Sequence, residues 1–237
     1  MNLTVLIPTN KDDFIPRLEK HYSFVDVNLV IVNAPERSVI DIFQNTKIET
    51  DYVVFGGDDD LYSPEGLKMA VGFLERNPHF IACHGRGLYV TEKASSPMPF
   101  GEILEDTPEE RLENFLKNYF VNLFSIHRRE VWEKMFPFSK GLPCFTAELF
   151  PCCISAVMGR TWSLNIPYLY RELHDKRIKH PDLKDLIQTK EWKDSYQIFR
   201  DYFESYDIDN LFQPYLKKCL NKKKPSKLSN FISRLRR

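Results

Sequence analysis

The sequence predicts an α/β fold in which a mainly parallel sheet is flanked by helices. Three observations carry this reading. Short apolar runs alternate with helix signals through the first half of the chain, the pattern of βαβ units. Each run ends on turn-forming residues. The composition, 43% hydrophobic and 14% aromatic over 237 residues, supplies a sizeable core and excludes a disordered chain. A length of 237 residues fits one such domain, here divided into a strand-rich stretch over 1–190 and a helical extension over 191–237.

Leu3–Ile7 is the first strand, closed by Pro8, and Val27–Val32 is the second, followed by the breaker Ala34-Pro35. Val39–Phe43 reads as a short helix. Tyr52–Phe55 is a third strand, stopped by Gly56-Gly57. Ser63 is an N-cap and Pro64 a first-turn residue for a helix running to about Arg76, with Leu67, Ala70, Val71 and Leu74 on one face. Phe80–Cys83 and Gly87–Val90 are expected as two further strands, and residues 93–106 as a loop. Thr107-Pro108-Glu109-Glu110 is a capping box. The helix it opens carries Leu112, Phe115, Leu116, Tyr119 and Phe120 on one stripe, which is most simply core. A helix over Ala147–Met158 ends at Gly159, and Glu191–Tyr206 reads as another, amphipathic one.

Lys+Arg and Asp+Glu both total 33, so the formal charge is zero. That balance hides an asymmetry. From Lys217 to the C-terminus there are nine basic residues and no acidic one, so residues 1–216 carry a net charge of −9. Within the tail, Leu228, Phe231, Ile232 and Leu235 recur at helical spacing among Lys227, Arg234, Arg236 and Arg237. A basic amphipathic helix of this kind suits an anionic membrane surface; a solvated terminus is the plain alternative. Nucleic acid is not the expected partner, because no binding module accompanies the charge. No apolar run reaches the roughly 18 residues needed to span a bilayer, and the first residues do not read as a signal peptide. The expected location is cytoplasmic, with peripheral attachment to the inner face of the membrane if the tail docks. The cysteines at 83, 144, 152, 153 and 219 are odd in number and form no CxxC pair, so they read as core thiols rather than as disulfides or zinc ligands.

The most informative segment is Gly56-Gly57-Asp58-Asp59-Asp60, directly after the Tyr52–Phe55 strand. Adjacent carboxylates at the C-terminal end of a parallel strand repel one another unless something positive stands between them. Mg²⁺ or Mn²⁺ would do so, since hard cations take oxygen ligands and often share one or two carboxylates with substrate phosphates. The same edge is where open α/β sheets bind ligands. An acidic surface turn is the alternative.

These residues resemble a known family. Leu6-Ile7-Pro8-Thr9-Asn10, Asp51–Asp60 and Ser63-Pro64-Glu65-Gly66-Leu67 look like the nucleotide-sugar-binding half of the GT-A (Rossmann-like) family 2 glycosyltransferases, over about residues 2–90. Further on, Thr146-Ala147-Glu148-Leu149, Gly159, Ile166–Arg171 and His174 are similar to that family's "ED" helix and its "PLxxYRxxH" strand. The resemblance implies an inverting transferase that moves a sugar from a nucleotide-sugar donor to a hydroxyl of a glycan or lipid-linked glycan, as in the assembly of bacterial surface polysaccharide. It implies Glu148 as catalytic base, Mn²⁺ or Mg²⁺ as cofactor on Asp58 and Asp60 with His174, and Pro8, Thr9, Asn10, Asp59 and Arg171 against the donor.

There are departures. The second strand ends Ile31-Val32-Asn33 without the family's aspartate, and a strict DxD would place its first carboxylate at Gly57, so Asp59 with Asp60 is an alternative metal pair. Glu148 also reads as a helix N-terminal carboxylate favoured by the macrodipole. His84, Arg86, His127, Arg128 and Arg129 line the acceptor side or are solvated. Two other functions remain at this stage: a nucleotidyltransferase, disfavoured by the absence of glycine in the Pro8–Asp13 loop, and a non-catalytic sugar-nucleotide-binding protein, which would need no base.

Overall fold

The computed structural model describes all residues except 10–11, 34–38, 137–143, 174–182 and 222–237. Strand β1 (Leu3–Thr9) buries Leu3, Val5, Leu6 and Ile7 completely. Both of its faces are covered, which is why its sequence is a continuous apolar run rather than an alternating one. Helix α1 (Ile15–Tyr22) leads to β2 (Asn28–Asn33), and α2 (Val39–Asn45) leads to β3 (Tyr52–Phe55). β2 and β3 pair with β1 on opposite sides, both parallel.

After the Gly56-Gly57 turn come β4 (Asp60–Tyr62) and α3 (Pro64–Arg76), the latter capped by Ser63, whose Oγ accepts the Gly66 N–H at 3.2 Å. Next are β5 (Phe80–Val90), β6 (Ser95–Pro97) and α4 (Pro108–Lys117). The capping box that opens α4 is present in full, Thr107 taking the Glu110 N–H and Glu110 taking the Thr107 N–H. The remaining elements are β7 (Ile126–Arg128), α5 (Arg129–Trp132), α6 (Cys144–Met158), β8 (Arg160–Glu172), α7 (Leu183–Leu186), α8 (Lys190–Tyr202) and α9 (Ile208–Asn221).

The strands form one sheet in the order β2-β1-β3-β7-β5-β8-β4, with β6 added to β5. The long ladders, β1 with β2, β1 with β3 and β5 with β8, are parallel. Short antiparallel pairings insert β7 between β3 and β5 and attach β4 and β6. The mainly parallel α/β architecture expected from the sequence is therefore present.

Three details differ from expectation. β5 is a single irregular strand rather than two, with register shifts around His84–Gly87. The polar and glycine residues there look like a break, yet Gly85 sits where a Cβ would stand 2.7 Å from both the Ile166 carbonyl oxygen and the Tyr168 Cβ. Glycine is needed for the close approach of β8. Part of the expected 93–106 loop pairs with the sheet as β6. The helix expected to reach Tyr206 stops at Tyr202, and a separate α9 starts after a turn in which Asp207 accepts the Asn210 N–H at 3.2 Å.

α6 is the helix around which the second half is built. Leu149, Phe150, Cys152, Cys153, Ile154 and Ala156 are wholly buried on it, and the thiols of Cys83, Cys152 and Cys153 are free. Arg111 of α4 closes its C-terminus by donating to the carbonyls of Ala156 at 3.0 Å and Val157 at 2.7 Å. α8 and α9 lie over it through aromatic contacts: Phe150 stacks on Phe199 at 4.6 Å and Tyr196 meets Phe212 at 5.6 Å. The core is continuous from β1 to α9. Phe150→Ala removes the ring that joins α6 to α8, and is expected to cost about 3–5 kcal/mol, read as a lowered urea midpoint with no change in slope.

Candidate active site

The C-terminal ends of β1 and β3 and the start of β4 bring three segments together. Phe55 ends β3, and the Gly56 N–H donates to the Leu6 carbonyl at 3.0 Å, carrying the sheet one step further. The chain then turns, with the Asp60 N–H on the Gly57 carbonyl at 3.1 Å, and β4 runs antiparallel to β8. The register places Asp60 opposite Arg171.

Asp60 is fully buried, and Arg171 grips it with two hydrogen bonds, Nε to Oδ1 and Nη2 to Oδ2, both 2.6 Å. The Gly57 N–H also donates to Oδ2, at 2.8 Å. Beneath the pair, the Arg171 guanidinium lies 4.2 Å from the centre of the Phe124 ring. Burial opposes the charge of Arg171, but Asp60 and Asp59 outweigh it and push its pKa above the ordinary value. Asp60, expected at the metal, and Arg171, expected at the donor, are thus each other's partners.

Asp58 and Asp59 are partly exposed. Thr9, buried at the end of β1, donates from Oγ1 to Asp58 at 2.9 Å, and the Asp59 carbonyl accepts the Glu172 N–H at 3.0 Å. Gly57 has a distinct role. A Cβ there would stand 2.8 Å from Asp59 Oδ1 and 3.0 Å from Asp60 Oδ2. The space that a first motif carboxylate would need is taken by the next two.

Glu148 projects from α6 and is half-buried. Burial raises its pKa to about 7; Arg171 pulls the value down and Asp60 pushes it up, so the carboxyl lies within electrostatic reach of the buried pair. The fold therefore assembles Thr9, Asp58, Asp59, Asp60, Glu148 and Arg171, drawn from four regions of the chain. Pro8 sits beside them in β1 with partial exposure. Asn10 and His174 lie outside the described residues, as does the basic tail beyond Asn221.

The proposed acceptor-side residues need correction. His84 and His127 are fully buried and neither line a site nor meet solvent. His84 places its ring nitrogens 2.9 Å from the Gly85 carbonyl and 2.8 Å from that of Gly101, and His127 contacts the Ser125 carbonyl and Ser155 Oγ. Desolvation lowers the pKa of both, to about 4 for His127. Arg128 is structural too, donating to the carbonyls of Leu74 near the end of α3 and Phe80 at the start of β5. Sequence reasoning missed Tyr119, whose buried hydroxyl lies within electrostatic reach of Glu148, and Phe124, the floor under Arg171. Both are aromatic residues in apolar surroundings, and only a lone hydroxyl in the 112–120 stripe marks the first.

No protein-family model and no curated protein matches the sequence. Solved structures do. The chain is similar to TarS of S. aureus, a glycosyltransferase. Residues 1–349 of TarS in complex with UDP-GlcNAc match at 17% identity and a TM-score of 0.58, covering 93% of this chain and 80% of that one. The complex with UDP matches at 16% and 0.52, covering 98% and 78%. Against a longer TarS chain the identity is 14% and the TM-score 0.58, and 44% of that chain is covered. The chain thus has a GT-A-like glycosyltransferase fold.

Asp60→Asn is expected to leave the Arg171 charge uncompensated in a buried position, at a cost of about 3–5 kcal/mol in urea unfolding. An ordinary surface aspartate changed in parallel, such as Asp194, is expected to shift stability by less than about 0.5 kcal/mol.

Proposed function

We propose that the chain is a divalent-cation-dependent, inverting glycosyltransferase that passes a sugar from a nucleoside-diphosphate donor to an acceptor hydroxyl. The observation that carries the reading is the placement of Asp58, Asp59 and the buried Asp60–Arg171 pair at the C-terminal edge of the sheet, with the half-buried Glu148 carboxyl of α6 within electrostatic reach of that pair. The resemblance in fold to a protein crystallised with UDP-GlcNAc supports the donor class.

The charges explain why a cation belongs in this reading. Asp60 and Arg171 offset each other's charge, and among the described residues Asp58, Asp59 and Glu148 add three carboxyls near them. A diphosphate would meet net negative charge. Among the described residues no three acidic, histidine or cysteine side chains form a ready metal cage. Two partly exposed carboxylates fit a cation shared with phosphate oxygens, the usual arrangement for Mg²⁺. Asp58 and Asp59 would hold it, with Asp60 acting one step behind as the anchor of Arg171 and His174 as a further candidate ligand. When bound, the cation supplies positive charge to the departing diphosphate.

The protein's own groups do the rest. Thr9 steadies Asp58, and Pro8, Thr9 and Asn10 border the nucleotide. Glu148 in its ionised form takes the proton of the acceptor hydroxyl as that oxygen bonds to the anomeric carbon. The bond from this carbon to the diphosphate oxygen breaks, and attack from the opposite face inverts the centre. A pKa near 7 keeps the base strong while leaving about half of it ionised at neutral pH. We further propose that the tail over 217–237 docks the enzyme on anionic lipid from the cytoplasmic side, where a lipid-linked glycan would be the acceptor. No described helix is long and apolar enough to cross a membrane.

The test is a thermal-shift panel of UDP-, GDP-, CMP- and dTDP-sugars with and without Mn²⁺. One nucleotide class is expected to stabilise the protein only with the cation, by about 2.7 kcal/mol at 100 times its Kd. Glu148→Gln is expected to retain that shift while transfer falls by at least about 100-fold. A shift that is independent of Mn²⁺, or undiminished turnover in the variant, would contradict the proposal. For the tail, sedimentation with phosphatidylglycerol vesicles is expected to retain the full chain and release a truncation after Asn221, which keeps α9 whole.

A further inference from the structure

Tyr119 follows the Asn118 cap of α4, on the stripe that otherwise consists of Leu and Phe. Its ring packs edge-on against Phe115 at 5.4 Å and lies tilted against Tyr215 of α9 at 5.9 Å. Its hydroxyl is buried with no hydrogen-bond partner. Among the described residues, the titratable groups within electrostatic reach of that hydroxyl are Cys152, Glu148, Tyr215 and Cys153. Glu148 and Cys152 are four residues apart on α6 and so share a face, which directs Tyr119 at the turn that carries the carboxyl. Burial keeps both thiols protonated, so they compete poorly as acceptors. A buried hydroxyl with no partner is costlier than the phenylalanine that would fill the same space. A nearby carboxyl that must ionise gives the hydroxyl a purpose.

We propose that Tyr119 is a positioning residue for Glu148: its hydroxyl donates to the carboxylate once ionised, and so fixes which oxygen meets the acceptor's proton. Its catalytic meaning rests on the function proposed above; the coupling between the two side chains does not. Among the described residues, Arg171 from β8 and Asp60 from β4 are the other charged groups acting on Glu148, and neither is altered in the variants below.

The first measurement needs no activity. Glu148 has a folded pKa of about 7, above the ordinary 4.5, so the stability it contributes is whole below about 4.5 and is lost as pH rises through about 7. Glu148→Gln loses nothing in that window. The stability gap between variant and wild type therefore opens across it, and its upper end reports the folded pKa of Glu148. In a Tyr119→Phe background the carboxylate lacks its donor, and this point is expected to move up by about one pH unit. An unmoved point overturns the proposal.

The second measurement is steady-state transfer at pH 7, where Tyr119→Phe is expected to lower kcat about tenfold with the donor KM unchanged, and to move the acidic limb of the rate profile upward. An unchanged kcat and limb would equally overturn it. Absence of transfer by the wild type would strike at the proposed function alone, and the stability measurement would still decide the coupling.

Discussion

The pairing of Asp60 with Arg171 is the interaction on which the site depends. A carboxylate with no exposed surface survives in a protein interior only when its oxygens are filled, and here a guanidinium and a backbone N–H fill them. The pair also fixes geometry. It joins β4 to β8 at the edge of the sheet, draws the 56–59 turn inward through the Gly57 N–H, and seats Arg171 on Phe124. Asp58 and Asp59 project from a turn that is pinned at both ends, by Leu6 on one side and by the β4–β8 ladder on the other.

The same pair sets the electrostatics. Arg171 is committed to Asp60, and Glu148 lies within electrostatic reach of both. Glu148 responds by protonating more readily, because burial disfavours its charge and Asp60 adds to the repulsion while Arg171 only partly offsets both. Burial and pairing together thus set which of these carboxyls carries its charge at neutral pH.

Much of this was legible in the sequence, because it depends on local rules. The Tyr52–Phe55 strand, the Ser63 cap with Pro64, and the Thr107 capping box occur where the side-chain chemistry puts them. The aspartates stood out as an acidic turn directly after a buried strand, and Glu148 was singled out by the resemblance to the family's helix motif. What was not legible involves partners far apart in the chain. Asp60 and Arg171 are 111 residues apart, and no local pattern says that two charges read as facing a ligand face each other instead. His84 and His127 looked available for binding, yet each is consumed by carbonyls and hydroxyls supplied from elsewhere in the fold.

The amino-acid sequence by itself determined the alternation of strands and helices, the sites of the caps, and an acidic turn after a buried strand. These follow from hydrophobic periodicity and from hydrogen bonds within a few residues. Only the tertiary structure decided which carboxylate is paired with Arg171 and which carboxyl is pushed up to a pKa near 7. Burial and long-range pairing control the cost of charge, and both are set by what the folded sheet and α6 bring together.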